Sequence, residues 1–323
     1  MRYRRAIFGR EIYIIMMNLK PDWTTWLHAY KEREVNAVFV NCPEACFPYG
    51  LELGGGDGYQ AGLISKFVQR LISTEINENR LARKNSERVE YRICGAEEAA
   101  VLYSKKSFDI VFSSNLLEHV NDPVKTLQGI HGLLRDGGVA IHVMPSPFWK
   151  LCQFALYLPA HGMVLLERIA RDPGLRNHAR EARAILREFL QGITTGSNAS
   201  LDAMYELEMK NGNNPGVPRK RPSFPSALFM PRPHGISQTN WEEFRAFGKR
   251  RWRQTFHDAG FSLITIKKGP AASGYGLGWE RAGKLTERAG LASEYIYVAR
   301  KKGHDCAYER YFTANKRQWV LRY

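Results

Sequence analysis

The residues best suited to chemistry begin with a run of glycines. Gly54, Gly55, Gly56 and Gly58 follow an apolar stretch in the text LELGGGDG. Glycine after a strand allows a tight turn and lets a ligand approach the backbone. A helix opening behind such a turn offers unpaired amides and the positive end of its dipole. The next strand-like run, Leu71 to Glu75, ends in a carboxylate 17 residues past Gly58. An acid there can accept hydrogen bonds from both hydroxyls of a ribose. The same glycines also fit Gly56-x-Gly58-x-x-Ala61, a dinucleotide fingerprint, so this segment alone leaves several nucleotide-dependent families open.

Histidines and a glutamate supply candidate bases, because imidazole titrates near neutral pH. His119 follows Glu118 in NLLEHV, directly after a strand candidate, and Glu118 is an alternative base. His234 sits in PRPHGISQTNW, where a His-Gly loop could fold over an active site. His119 can equally cap a loop, His234 can lie on the surface, and Glu118 can form a structural salt bridge. His142 lies mid-strand in VAIHV and is expected to pack in the sheet. Cys42 and Cys46 have no second pair and the histidines form no ligand cluster, so no metal is expected.

These residues need a frame that brings them to one place. From Leu51 to Pro147, strand-like runs alternate with helical patterns: LELGGGDG, AGLISKFVQR, LISTE, NENRLARKNS, VEYRIC, FDIVFSS, a helix from Asp122 to Arg135, the turn Asp136-Gly137-Gly138, then VAIHVM. That alternation predicts βαβ units and a parallel sheet whose strand C-terminal ends share one edge. Four regions follow. Residues 1–46 form a helical extension and 47–147 a cofactor-binding half. Residues 148–240 form an inserted lid ending in the Gly/Asn/Pro-rich loop NGNNPGVPRKRPSFPS. Residues 241–323 supply a last helix, closing strands and a basic tail. The segment WEEFRAFGKRRWRQTFHDAG reads as one helix with Trp241, Phe244, Phe247, Trp252 and Phe256 at core spacing, stopped by Gly260.

Taken in order, LELGGGDG, STEINENRL, GAEEAA, FDIVFSSNLLEHVNDP and LLRDGGVAIHVMPSP resemble class I S-adenosylmethionine-dependent methyltransferases over roughly residues 47–147. The resemblance implies an α/β fold: a Rossmann-like, seven-stranded, mostly parallel sheet with helices on both faces and a helical or loop insertion after strand five. It implies S-adenosylmethionine as cofactor. Glu52, Gly54, Gly56 and Gly58 would hold its methionine part and Glu75 its ribose. Gly95 stands where an aspartate is common, so the amides of Ala96 or Glu97 would serve the adenine. Ser114, Asn115 and Leu116 would line the cofactor. A dehydrogenase would need a second nucleotide motif or a Lys/Tyr pair that SNLLEHV does not supply.

Composition bears on the acceptor. The chain has 323 residues, with 47 Lys plus Arg against 32 Asp plus Glu, a formal charge of +15. At 24% charged and 44% hydrophobic, extensive disorder is excluded. Residues 51–147 come out at −1, whereas residues after 147 carry an excess of +14. The densest clusters are Arg219-Lys220-Arg221 and Lys249-Arg250-Arg251 with Arg253. Such clusters suit phosphate. The text PSPFWKL, the long insertion and the later HG and W…F…AGF elements resemble methyltransferases of bacterial surface-polysaccharide pathways. This implies O-methylation of a sugar hydroxyl on a phosphate-bearing, surface-polysaccharide or lipid-linked glycan. A quinone or lipid ring, RNA, and a non-catalytic binder are the alternatives. Nucleic acid is disfavoured because the aromatics among the basic residues sit at core spacing. Five cysteines point to a reducing, cytoplasmic setting. The N-terminal run Ile12 to Leu19 is too short, with Glu11 beside it, for a signal peptide. The apolar segment Leu151 to Leu166 is either a buried lid helix or a peripheral contact with the inner face of the membrane.

Overall fold

The computed structural model describes residues 23–81, 86–157, 231, 233, 235–272 and 280–314. His234, the Arg219-Lys220-Arg221 cluster and most of the expected lid lie outside these residues.

The described residues build one seven-stranded sheet flanked by helices. Helix α1 (Trp23–Phe39) precedes β1 (Phe47–Leu53), α2 (Tyr59–Ile64), β2 (Val68–Glu75) and β3 (Val89–Ile93). Next come α3 (Ala99–Leu102), β4 (Phe108–Ser114), α4 (Pro123–Leu133) and β5 (Leu134–Pro145). Helix α5 covers residues 147–157. The chain closes with α6 (Asn240–Ala246), α7 (Lys249–Asp258), β6 (Phe261–Lys268), α8 (Glu280–Arg288), β7 (Glu294–Lys301) and α9 (Glu309–Thr313). The strand order is β3-β2-β1-β4-β5-β7-β6. β1 to β5 pair in parallel, and β7 runs antiparallel between β5 and β6. This is the seven-stranded, mostly parallel, Rossmann-like sheet that the resemblance implies.

Because both faces are covered, the central strands are buried along most of their length rather than on alternate residues. One face packs Leu127, Ile130 and Leu133 of α4 with Trp252 and Phe256 of α7. The other packs Val35, Val38 and Phe39 of α1 with Ala61, Ile64 and Phe312. Phe39 anchors α1 by lying 4.7 Å from the Phe67 ring and 6.1 Å from that of Phe112. Asp122 caps α4 by accepting the Lys125 amide at 3.0 Å, with Pro123 in the first turn. Chain order reverses between β1 and β4, which places a ligand crevice at their C-terminal ends.

Three local expectations need correction. The run read as one helix from Trp241 is two, α6 and α7, separated at Phe247 and Gly248. A Thr239–Glu242 capping box starts the first, and glycine caps the second. The break shifts the helical phase: Trp252 and Phe256 are core, but Trp241 is 60% exposed, stacked on Phe244 beside Arg245. Helix α2 stops at Ile64, and Val68 to Arg70 join β2, since Val68 fits the strand core. Asp136-Gly137-Gly138 lies within β5, where a register shift between Phe108 and Ile110 absorbs it.

Candidate active site at the sheet edge

The glycine loop leaves β1 in left-handed turns. Gly54, Gly56 and Gly58 have φ of +75°, +59° and +84°, a region that favours glycine. The Gly54 and Gly55 amides both donate to the Thr74 carbonyl at 2.8 Å, tying the loop to β2. Gly55 is required by space: a Cβ there would lie 2.0 Å from Ser73 Oγ and 2.8 Å from Glu52 Oε2. Beneath the loop, buried Glu52 accepts the Ser73 hydroxyl at 2.6 Å, and burial pushes its carboxyl up to about 7. Glu75 ends β2 with both oxygens engaged. Oε2 accepts the Gly56 amide and Oε1 the Asn77 amide, each at 3.0 Å. The exposed Ile76 and the half-buried Ala96 and Leu116 stand around this edge. Leu116 closes on Gly54, and the Arg80 guanidinium lies over Gly56.

The turn after β3 is held by acids. Glu98 Oε2 accepts the Gly95 amide at 3.2 Å. Glu97, an exposed residue, accepts the Asn121 amide at 3.1 Å and so joins this turn to the loop after β4. Ala96 and Glu97 thus stand at the same edge as Glu75, while the Glu97 carboxylate is spent on the neighbouring loop.

A second polar group gathers after β4. Ser114 Oγ takes a hydrogen bond from Lys31 at 2.6 Å and donates to Glu34 at 3.0 Å. Lys31 also pairs with Glu34 at 2.9 Å, and Gln60 donates to the other oxygen of Glu34 at 2.5 Å. Burial pulls the Lys31 ammonium down, but Glu34 and Glu294 outweigh it and raise the value overall. Asn115, left-handed at φ +50°, donates from Nδ2 to Glu294 at 2.9 Å. Glu118 is buried, and neither of its oxygens has a hydrogen-bond partner among the described residues. Burial pushes its carboxyl up to about 8. His119 Nε2 stands 3.9 Å from Glu118 Oε1. The loop before α6 closes on this group. A Cβ on Gly235 would lie 2.5 Å from the Glu118 carbonyl oxygen, and the Ile236 amide donates to that oxygen at 3.4 Å. Beyond it, Lys150 of α5 and Glu243 of α6 form a fully buried ion pair at 2.5 Å. His142 is elsewhere in kind: buried in β5, bonded to Ser113 at 2.8 Å and pushed down to about 3 by burial.

The structure therefore brings Glu52, Gly54, Gly56, Gly58, Glu75, Ala96, Glu97, Ser114, Asn115, Leu116, Glu118 and His119 to one sheet edge; His234 lies outside the described residues. Sequence reasoning missed Lys31, Glu34, Glu294, Arg80 and the Lys150–Glu243 pair. One signal was available for Glu294, a charge opening the otherwise apolar strand EYIYVA. KERE in α1 looks like an ordinary solvated helix face.

Residues 51–142 match the family described as methyltransferase domain. A stretch of 101 residues is 37% identical to the human arginine-hydroxylase NDUFAF5, mitochondrial, covering 30% of this chain and 29% of that protein. A stretch of 97 residues is 30% identical to the ubiquinone biosynthesis O-methyltransferase of Ruegeria pomeroyi, covering 28% of this chain and 38% of that protein. The chain spans less than half the length of either relative. A solved S-adenosylmethionine-dependent methyltransferase from Mesorhizobium loti superposes with TM-score 0.45 and 14% identity over 84% of this chain and 100% of that one.

The match over residues 51–142 to the methyltransferase domain, on the sheet described above, implies S-adenosylmethionine as cofactor. The edge fits that cofactor. The loop turns at positive φ through glycines, leaving backbone bare of side chains, and each Glu75 oxygen, holding one amide, keeps a second lone pair for a ribose hydroxyl. The buried carboxyls suit the cationic sulfonium.

Proposed function

We propose that the chain transfers a methyl group from S-adenosylmethionine to a hydroxyl oxygen, with Glu118 as the general base and His119 beside it. The observation that carries this reading is the pairing of an anchored cofactor loop with an unsatisfied buried carboxyl on the same edge. The bound cofactor supplies an activated methyl group with a good leaving group. The protein must align the acceptor oxygen, which can account for about 7–11 kcal/mol of barrier, and remove its proton. Ser114, Asn115 and Leu116 would hold the cofactor from the β4 side, and Ala96 and Glu97 its adenine. His234 is proposed as an alternative base, delivered by the loop that meets Glu118.

For the acceptor we propose a sugar hydroxyl on a phosphate-bearing, surface-polysaccharide or lipid-linked glycan. Support comes from the basic excess after residue 147. The Lys249 ammonium of α7 sits 4.1 Å from the ring centroid of Tyr295, the neighbour of Glu294. A quinone-ring hydroxyl is the second reading, favoured by the similarity to ubiquinone biosynthesis O-methyltransferases. The proposed setting is cytoplasmic, with peripheral membrane contact; among the described residues no helix is long and apolar enough to cross a membrane. The test is transfer of labelled methyl from S-adenosylmethionine to a panel of glycans, quinone precursors, RNA and arginine peptides. Label in a glycan ether supports the first reading and label in a quinone precursor the second. Cofactor binding without any transfer, or no binding at all, rejects the O-methyltransferase reading.

A further inference from the structure

Among the described residues, the buried carboxyl groups around this edge outnumber the cations facing them. Glu34 on α1, Glu52 on β1, Glu118 after β4, Glu243 on α6 and Glu294 on β7 are all at most 7% exposed. Among the described residues, the ammonium groups there are Lys31, bonded to Glu34 and Ser114, and Lys150, bonded to Glu243. Tyr30, Asn115 and His119 are the other polar groups at hand. Both oxygens of Glu118 and one oxygen each of Glu52 and Glu294 have no hydrogen-bond partner among the described residues. Burial, then the nearby Glu34, pushes Glu294 up to about 8, the level to which burial brings Glu118. A buried carboxylate short of partners is expensive, so burial favours the protonated forms of Glu118 and Glu294.

Methyl transfer to a hydroxyl changes the charge at this edge. The sulfonium is a fixed cation, the thioether that remains is neutral, and the acceptor sheds a proton. We propose that Glu118 and Glu294 form a proton store matched to the sulfonium, ionised beside the charged cofactor and protonated beside its neutral product. The proposal rests on the O-methyltransferase reading above. In the step, the new C–O bond forms as the C–S bond breaks, and the C–S electron pair stays on sulfur. The hydroxyl proton passes to a Glu118 oxygen. One positive charge disappears at sulfur and one arrives as a bound proton. The net charge of the buried site is unchanged, so no uncompensated charge is created in a low-dielectric region. The neutral product loses the attraction that held its precursor, which favours its release.

Calorimetric titration tests this without relying on turnover. S-adenosylmethionine and S-adenosylhomocysteine are each titrated into the full chain in two buffers of different ionisation heat, from pH 6 to 9. Binding of the sulfonium should release on the order of one proton at pH 7, and binding of the thioether close to none. Sulfonium affinity should therefore rise by up to about tenfold per pH unit between pH 6 and 8 and then level off, while thioether affinity stays flat. Glu118→Gln and Glu294→Gln should each cut the proton count and flatten the sulfonium curve while leaving thioether affinity in place. Equal proton counts for the two ligands on the unmodified chain overturn the store, whatever the variants do. Failure of either ligand to bind rejects the methyltransferase reading itself, and with it the store.

Discussion

Glu75 and Glu118 are carboxylates on the same sheet edge, both buried, and they have opposite surroundings. Glu75 has two backbone amides, one on each oxygen. The Glu118 side-chain oxygens make no hydrogen bond to another described residue, and the His119 ring stands 3.9 Å away. The difference divides the site. On the cofactor side backbone amides already anchor each Glu75 oxygen, which fixes its geometry before a ligand arrives. On the acceptor side the polar groups are left short of partners, and burial pushes a carboxyl into the range where it can take a proton near neutral pH.

The largest effect expected is on the cofactor side, because the closely packed loop leaves no room to adjust. Gly55→Ala would place a methyl group 2.0 Å from Ser73 Oγ and 2.8 Å from Glu52 Oε2. The Ser73–Glu52 bond must then break inside the protein. A loss of about 2–4 kcal/mol in chemical denaturation is expected, with cofactor affinity down by at least about a hundredfold. Near-normal binding by this variant would show that the loop is less tightly fixed than its contacts imply.

Glu118→Gln comes next and acts on the other side. The amide keeps shape but cannot accept the acceptor's proton. Single-turnover methyl transfer should fall by about 10²–10⁴, with the affinity for S-adenosylhomocysteine nearly unchanged. Glu75→Ala should do the reverse. It removes two hydrogen bonds to a charged acceptor, so cofactor affinity should fall about tenfold to a hundredfold while the methyl-transfer step on saturated enzyme changes little. If both variants lost affinity and rate together, the edge would be one unit and the division above would fail.

The two sides also differ in how far they could be read from sequence. Gly54, Gly56, Gly58 and Glu75 were legible because a backbone need fixes residue type at fixed spacing: left-handed turns favour glycine, and the strand end favours an acid. Glu118 and His119 were legible as candidates through their place after β4. Lys31, Glu34 and Glu294 were not, since they come from α1 and β7, far away in sequence, and their meeting is a product of the crossing that packs α1 on β1 and β4. The α6–α7 break escaped for a related reason. Apolar spacing from Trp241 to Phe256 fits one helix, whereas the chain breaks at Phe247 and Gly248, where Phe247 packs against Trp149. The parallel part of the sheet was legible in the alternation of strand and helix patterns, and its seven strands through the family resemblance.

The smallest effect expected is on stability, and its sign follows from burial. Glu118 titrates at about 8 in the folded chain, above an ordinary carboxyl value of 4.5. The folded state therefore binds more protons than the unfolded state between those values. Its contribution to stability is complete below pH 4.5 and is lost as pH rises through about 8. The unmodified chain should thus lose thermal stability from pH 5.5 to pH 8.5. Glu118→Gln, which stays neutral throughout, should lose less and melt a few degrees higher at pH 8.5, at about 2–4 °C per kcal/mol for a domain of this class. The gain in stability with loss of turnover is what an unsatisfied functional carboxyl predicts. A lower melting point for Glu118→Gln at pH 8.5 would mean that the carboxylate is stabilised by contacts after all, and would place Glu118 with Glu75 as a structural acid.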